Sequence, residues 1–242
     1  MRVQPALPVS ARLAWWGTAW LRGHVVSDQM VDGVVADDAV HLVGGAEGAE
    51  PLVLGLGRLR SVGATGFGLA LPVAGDPLGL GGPAAFNSAA LAAGEAVVTT
   101  GADVGLVPER TGASVTWTEH PALRRQVPDV GEADRALRSA LLETADELAR
   151  LEVARWRPEV ADELMDLRHP RPVQAPRGVP SRCLDLAGRG MQAMTIVELA
   201  LVDDGGAISA AEATERQSAL ASLERASRRA LVAACSPDVW PD

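Results

Sequence analysis

The sequence predicts an α+β fold: a small, mainly antiparallel sheet with flanking helices in the N-terminal half, then an antiparallel helical half sharing the same core. Three observations predict it. Charge is sparse before residue 121, with 6 arginines against 11 acids, and denser and of mixed sign after it, with 16 against 20; solvent-facing helices need such charge and half-buried strands do not. Period-two stretches gather in the first half. Capped, leucine-striped segments fill the second. The halves, 1–120 and 121–242, read as one integrated domain, because each is too thin to close a core alone.

Residues 11–22 (ARLAWWGTAWLR) read as a helix. Leu13, Trp16 and Trp20 make one apolar face and leave Trp15 pointing sideways. Ser27 is the expected cap of a second helix, with Asp28 at the positive end of its dipole and Met30 and Val34 on one face. In PLVLGLGRLRSVG, Leu52, Leu54, Leu56, Arg58 and Arg60 alternate; in GFGLALPV, Phe67, Leu69, Leu71 and Val73 do. Period two predicts two strands joined by a turn near Gly63, and the small face of Gly66, Gly68 and Ala70 invites close packing. Residues 74–82 (AGDPLGLGG) form a loop. Pro83 then opens a short helix carrying Phe86, Ala89, Ala90 and Ala93, which stops at Gly94. AVVTTGADVGLV and ASVTWTEH, joined by PERTG, predict a hairpin in which Val115 and Trp117 alternate with Ser114, Thr116 and Thr118.

In the second half, Asp129 and Glu132 resemble a capping box ahead of a stripe of Leu137, Leu141, Leu148 and Leu151. Pro158 opens a shorter helix to about Leu167, and four prolines in 168–180 mark an extended connector. An apolar helix spans Ser181 to Val202, and DDGG at 203–206 breaks it. Ser209 and Glu212 cap a last helix to Ala234, with Leu220, Leu223, Ala230, Leu231 and Ala234 on its buried side.

Composition excludes several chemistries. All 22 basic residues are arginine, and lysine and tyrosine are absent, a bias that fits a high-GC genome. Without lysine there is no Walker A or kinase-strand lysine and no lysine Schiff base. The net charge of −9 argues against a nucleic-acid partner, which needs a basic footprint. Cys183 and Cys235 form no CxxC, and Arg12 interrupts the early apolar stretch, so neither a secretory leader nor a membrane span is expected. The expectation is a cytoplasmic protein with two reduced thiols. His24, His41, His120 and His169 show no metal spacing beyond the i, i+3 pair Asp166 and His169, so neither a metal nor a cofactor is expected.

Two groups of residues stand out. Asp76 in the loop Gly75–Gly82, with Asn87 and Glu95, could line a cleft, where glycines let backbone amides approach an anion. Arg58 and Arg60 could add bidentate contacts to it. The second group is Trp15, Trp16 and Trp20 with Arg168, Arg171 and Arg177; tryptophan and arginine dominate binding hot spots, and no acid interrupts residues 168–184. Glu198, the one charge between Gly190 and Val202, reads as half of a buried ion pair. The absence of a GxSxG elbow or Cys-His signature favours a non-catalytic regulatory or assembly protein acting through protein contacts, with homo-oligomerisation compatible. The alternative is an enzyme or sensor that binds a small anionic metabolite at 75–82.

Overall fold

A computed structural model describes residues 7–45, 48–123, 125–150, 173–202 and 210–241. Among these, seven helices surround one six-stranded sheet: α1 (Val9–Leu21), α2 (Ser27–Val35), β1 (Val40–Gly45), β2 (Gly48–Pro51), α3 (Leu52–Ser61), β3 (Gly66–Ala70), α4 (Ala84–Ala93), β4 (Ala96–Thr100), β5 (Val104–Thr111), β6 (Ser114–Pro121), α5 (Val130–Arg150), α6 (Ser181–Val202) and α7 (Ala210–Ala234). A 3-10 turn follows at Pro237–Val239. The fold is α+β, as the sequence predicts. The expected second-half helix at 158–167, the Asp166–His169 pair, Arg168, Arg171 and the Ser209 cap lie outside the described residues.

The strand order is β2-β1-β6-β5-β4-β3. The sheet is mainly antiparallel, as the sequence predicts, but not purely so: β1 runs parallel to β6. Patterning could not show this: strand direction depends on the route of the intervening chain, which no alternation records. The expected β5–β6 hairpin forms, with Thr111 opposite Ser114.

The larger correction concerns residues 52–60, which form α3 and not a strand. Leu52, Leu56 and Leu59 are buried, whereas Leu54, Arg58 and Arg60 are exposed. That is a helical i, i+4, i+7 stripe, which coincides with even positions at Leu52 and Leu56 and departs from them at Leu59. Pro51 stands just ahead of the first turn, where its missing N–H costs nothing. Gly55 lets α3 lie directly on β1, since a Cβ there would run into the Val43 side chain.

One face of the sheet carries α1 and α3. The core there joins Leu13, Trp15, Phe67, Leu69 and Trp117 to Leu137, Leu186, Leu223 and Leu231 of the helical half. On the other face α4 covers a smaller cluster, Phe86 and Ala90 against Ala70, Ala96, Val98 and Val107. The helical half is fastened to the sheet through the open edge of β3. The Thr18 hydroxyl accepts from the Phe67 amide (2.9 Å) and donates to the Phe67 carbonyl (3.2 Å). The Leu69 amide donates to the Cys235 carbonyl (3.1 Å), and the Leu69 carbonyl accepts from Arg125. The small face of β3 is filled as its composition invites: Pro237 rests at Gly66 and the Arg125 guanidinium at Gly68.

The α3 packing yields a paired test. Gly55→Ala is expected to lower stability by roughly 1–3 kcal/mol through overpacking. Gly57→Ala, whose added Cβ would meet nothing within 4 Å, is expected to raise it by roughly 0.5–1 kcal/mol from helix propensity. Urea unfolding of both variants decides; shifts of one sign would contradict the packing described.

Candidate functional site

The residues singled out for an anion site are each engaged separately. Asp76 is held by Arg228 of α7 (3.0 Å), which also donates to the Leu71 carbonyl (3.0 Å). The Asn87 side chain accepts from the Gly82 amide (3.0 Å) and so ties the glycine-rich loop to α4. Glu95 accepts from the Ser10 amide (2.9 Å). It thereby caps α1 from a distance, where Pro8 makes no side-chain cap bond. Burial pushes the Glu95 carboxyl up, opposed by the Ser10 amide. Arg58 pairs with Glu50 and Glu119. Arg60 stacks over the Trp20 ring at 5.5 Å. These five residues do not meet in one concavity.

A polar cluster that the sequence reading passed over sits where β1 begins. Asp38 receives Arg12 (2.6 Å), Arg110 (2.7 Å) and His41 Nε2 (3.0 Å). Trp117 Nε1 donates to His41 Nδ1 (3.3 Å), so the imidazole proton lies on Nε2. Burial lowers the His41 pKa below 6.5, with Asp38 opposing. Burial also acts to raise Asp38, but hydrogen bonds from Arg110, His41 and Arg12 outweigh it and hold the carboxyl at about 2. Every hydrogen-bonding atom of the His41 ring is partnered, so the cluster works as a buried pin between α1, β1 and β5. Its signal was present as Asp38 and His41 at i, i+3, but Arg12, Arg110 and Trp117 come from remote segments.

Two of the proposed interaction residues do converge. Trp16 and Arg177 line one groove of about 480 Å³ with His24, Gln29, Asp32 and Gln174. The side chains of His24, Gln29, Asp32, Gln174 and Arg177 are exposed. Gly178 fixes the connector here: its φ of 92° suits glycine, and a Cβ would strike the His24 ring. Among the described residues no carboxylate pairs with Arg177, and no three His, Cys, Asp or Glu side chains gather as metal ligands would. A second groove, of about 570 Å³, lies between α4 and the sheet and includes Glu95, Glu109 and His120.

The family model for the N-terminal domain of Rv1486c-like proteins matches residues 10–133, and the model for their C-terminal domain matches 131–232. The chain belongs to the Rv1486c-like family. It is 28% identical to the uncharacterised protein Rv1486c of Mycobacterium tuberculosis strain H37Rv, over 96% of this chain and 99% of that protein. The uncharacterised protein MT1533 of strain CDC 1551 matches at the same identity and coverage. No solved structure matches the chain.

In this Rv1486c-like chain the tryptophans divide their roles differently from the helical-face reading. Trp15, not Trp16, is fully buried, at 0% exposure. Its indole N–H donates to the Ala234 carbonyl (3.1 Å), which also accepts from Trp240 (2.9 Å). Two indoles thus close the C-terminal end of α7. Trp16 and Trp20 are half-buried toward α2, where Trp20 donates to the Ser27 hydroxyl (3.1 Å). The face assignment failed because α1 is enclosed on nearly every side, so its periodicity is weak. Glu198 is exposed, not buried, so it is not half of a buried ion pair. Cys183 and Cys235 are free and buried; burial pushes the Cys183 thiol up to about 11 and pushes the Cys235 thiol well above its ordinary value.

Two outcomes are expected in the Rv1486c-like fold. Trp15→Ala should cost roughly 3–5 kcal/mol and Trp16→Ala distinctly less; the reverse order in denaturant unfolding would refute the burial described. The Asp38–His41 pin sets an acid dependence. The unfolded chain protonates first at His41 and at Asp38, so stability falls as pH drops below 6.5. It falls again from about 4 toward about 2. Asp38→Asn should flatten the lower window, read as the urea midpoint against pH; an unchanged acid limb would remove Asp38 from the pin.

Proposed function

We propose that the chain is a non-catalytic assembly or regulatory protein that holds a segment of another protein in the groove between α2 and residues 174–177. The observation that carries this reading is the meeting of Trp16 and Arg177 in one groove, although 160 positions separate them. Their residue types supply most binding energy at protein interfaces. The Gln174 amide can pair with a peptide main chain, and so can the Gln29 –NH2, the Gln29 Oε1 being engaged by the Val26 amide (3.4 Å). Asp32 and Arg177 would favour a segment carrying both signs of charge. The buried, protonated thiols fit the reducing cytoplasm. Among the described residues no helix is long and apolar enough to cross a membrane. The alternative, an anionic metabolite at 75–82, has less support, because Arg228, Arg125 and Asn87 already occupy that loop's polar groups.

Affinity capture from the protein's own cells tests the reading. The wild type is compared with Gln29→Ala/Arg177→Glu and with Arg225→Glu, an exposed change on α7 away from the groove. A protein held by the wild type and Arg225→Glu, but reduced at least about tenfold by the groove variant, is expected. Equal capture by all three would end the proposal.

A further inference from the structure

The chain holds two cysteines, and the fold brings them to one place. Both are free and fully buried, and both belong to the main core. Cys183 lies in the first turn of α6, and Cys235 directly follows the last residue of α7. Alanine and valine fill the other small positions of that core. Cysteine fills only these two, so packing alone does not account for their meeting.

Two contacts set how α6 and α7 pass each other. The Arg216 side chain donates to the Ala200 carbonyl (2.6 Å). A Cβ on Gly190 would stand 3.4 Å from the Ser227 carbonyl oxygen and 3.2 Å from the Leu231 side chain. The helices therefore run antiparallel, and their backbones come close at Gly190. Cys183 is two turns before Gly190 and on the same side of α6, which also buries Leu186 and Ala187. Cys235 is one turn past Leu231, and its amide keeps the helical bond to the Leu231 carbonyl (2.9 Å). From the Gly190 contact both steps cover on the order of 10 Å along their helices. The two thiols thus reach the same level of one seam. Their ionisation agrees: besides burial, the charge of Cys183 raises the Cys235 thiol, which requires the two to be close.

We infer that Cys183 and Cys235 are a dithiol redox centre, which closes to an intramolecular disulfide in exchange with a low-molecular-weight disulfide. The bond needs Cα atoms about 4.4–6.8 Å apart, a spacing open to helices that pack through glycine and alanine. The exchange runs in two steps. The Cys183 thiolate attacks one sulfur of the oxidant, forms a mixed disulfide and expels the first thiolate. The Cys235 thiolate then attacks the Cys183 sulfur and expels the second. The two cysteine protons end on the two released thiols, so two electrons pass from the protein to the oxidant.

Access selects Cys183 as the first nucleophile. Ser181 and Arg182 beside it are exposed, whereas residues 230–236 are buried throughout. Fraying of the first turn of α6 therefore admits a small oxidant to Cys183 before Cys235. Burial keeps both thiols protonated near neutral pH, so the pair reacts slowly and holds its reduced form against brief exposure. Closure would tie the first turn of α6 to the residue whose carbonyl accepts the Leu69 amide, and so hold α6, α7 and the edge of β3 at one point.

The test incubates the folded, fully reduced chain with oxidised glutathione until its intact mass is constant. The expected product has lost two hydrogens and yields a peptide that links Cys183 to Cys235 in a non-reducing digest. Its Tm should rise by on the order of 5–10 °C and return on treatment with dithiothreitol. Cys183→Ala and Cys235→Ala should each abolish the oxidant-dependent rise; where a variant does not fold, the wild-type peptide map decides alone. An unchanged mass, with both thiols still reactive once the chain is unfolded in urea, overturns the proposal. So does a chain that carries glutathione on both cysteines, or a bond formed only between two chains.

Discussion

Among the described residues β3 is an edge strand, paired with β4 on one side, and the main-chain groups on its other edge are met one at a time by other parts of the chain. Thr18 serves Phe67, Cys235 and Arg125 serve Leu69, and Leu78 and Arg228 serve Leu71. An unpaired buried amide or carbonyl costs on the order of 1–3 kcal/mol, so α1, the loop at 74–82, residue 125 and the end of α7 must all arrive along one line. This is why the sheet and the helical half share a core. It also explains why Gly66, Gly68 and Ala70 are small: the covering groups reach over the strand to its edge.

Having arginine as its only strong cation shapes the rest. A guanidinium donates five hydrogen bonds in a fixed fork, so one side chain can satisfy several loop carbonyls where a lysine would act as a point charge. Arg125 bridges Leu69, Gly79 and Ser236, and burial pushes its pKa down to about 10 against the pull of Asp238. Arg12 holds Val35 and Asp38 together. Arg216 reaches the Ala200 carbonyl between α7 and α6 (2.6 Å). Arg58 and Arg60, which the sequence offered as anion binders, are likewise engaged within the fold, by Glu50 and Glu119 and by the Trp20 ring, and Arg177 differs from them in facing an open groove.

Much of the fold was legible. The helices α1, α2, α4, α6 and α7, the start of α5 and the β5–β6 hairpin followed from periodicity, turn residues and caps, all local properties, but Ser27 is not the cap expected of it: it is the first residue of α2, Val26 holds the cap position, and the Ser27 hydroxyl accepts from Trp20 instead. Asp129 caps α5 as expected, accepting from Gly131 (2.8 Å) and Glu132 (3.0 Å). Where reading failed, the deciding term was not local. The leucines of 52–59 satisfy a period of two for three residues and a period of 3.6 for longer. Only the need of β1 for a covering helix, met through Gly55 on Val43, separates the two. β1 and β2 themselves went unassigned, because their short glycine-rich segments lack clean alternation. For the sites, residue types could be read but not their meeting: Trp16 and Arg177 converge, whereas Arg58, Asp76 and Glu95 part company.

The scarcity of large side chains bears on function as well as on packing. Elements built on Ala, Gly, Val and Leu approach closely, and only two phenylalanines and six tryptophans are present to prop them apart. A site that engulfs a small molecule needs bulky walls, since such ligands are typically buried over 70–90% of their surface. Here the two grooves are seams, one between α2 and the connector and one between α4 and the sheet, and their rims stand in solvent. Seams of this kind suit a flat or extended macromolecular surface, which spreads modest contacts over a larger area. The chain invests its few large aromatics accordingly: Trp15 and Trp117 hold the interior, and Trp16 and Trp20 stand at the boundary with α2.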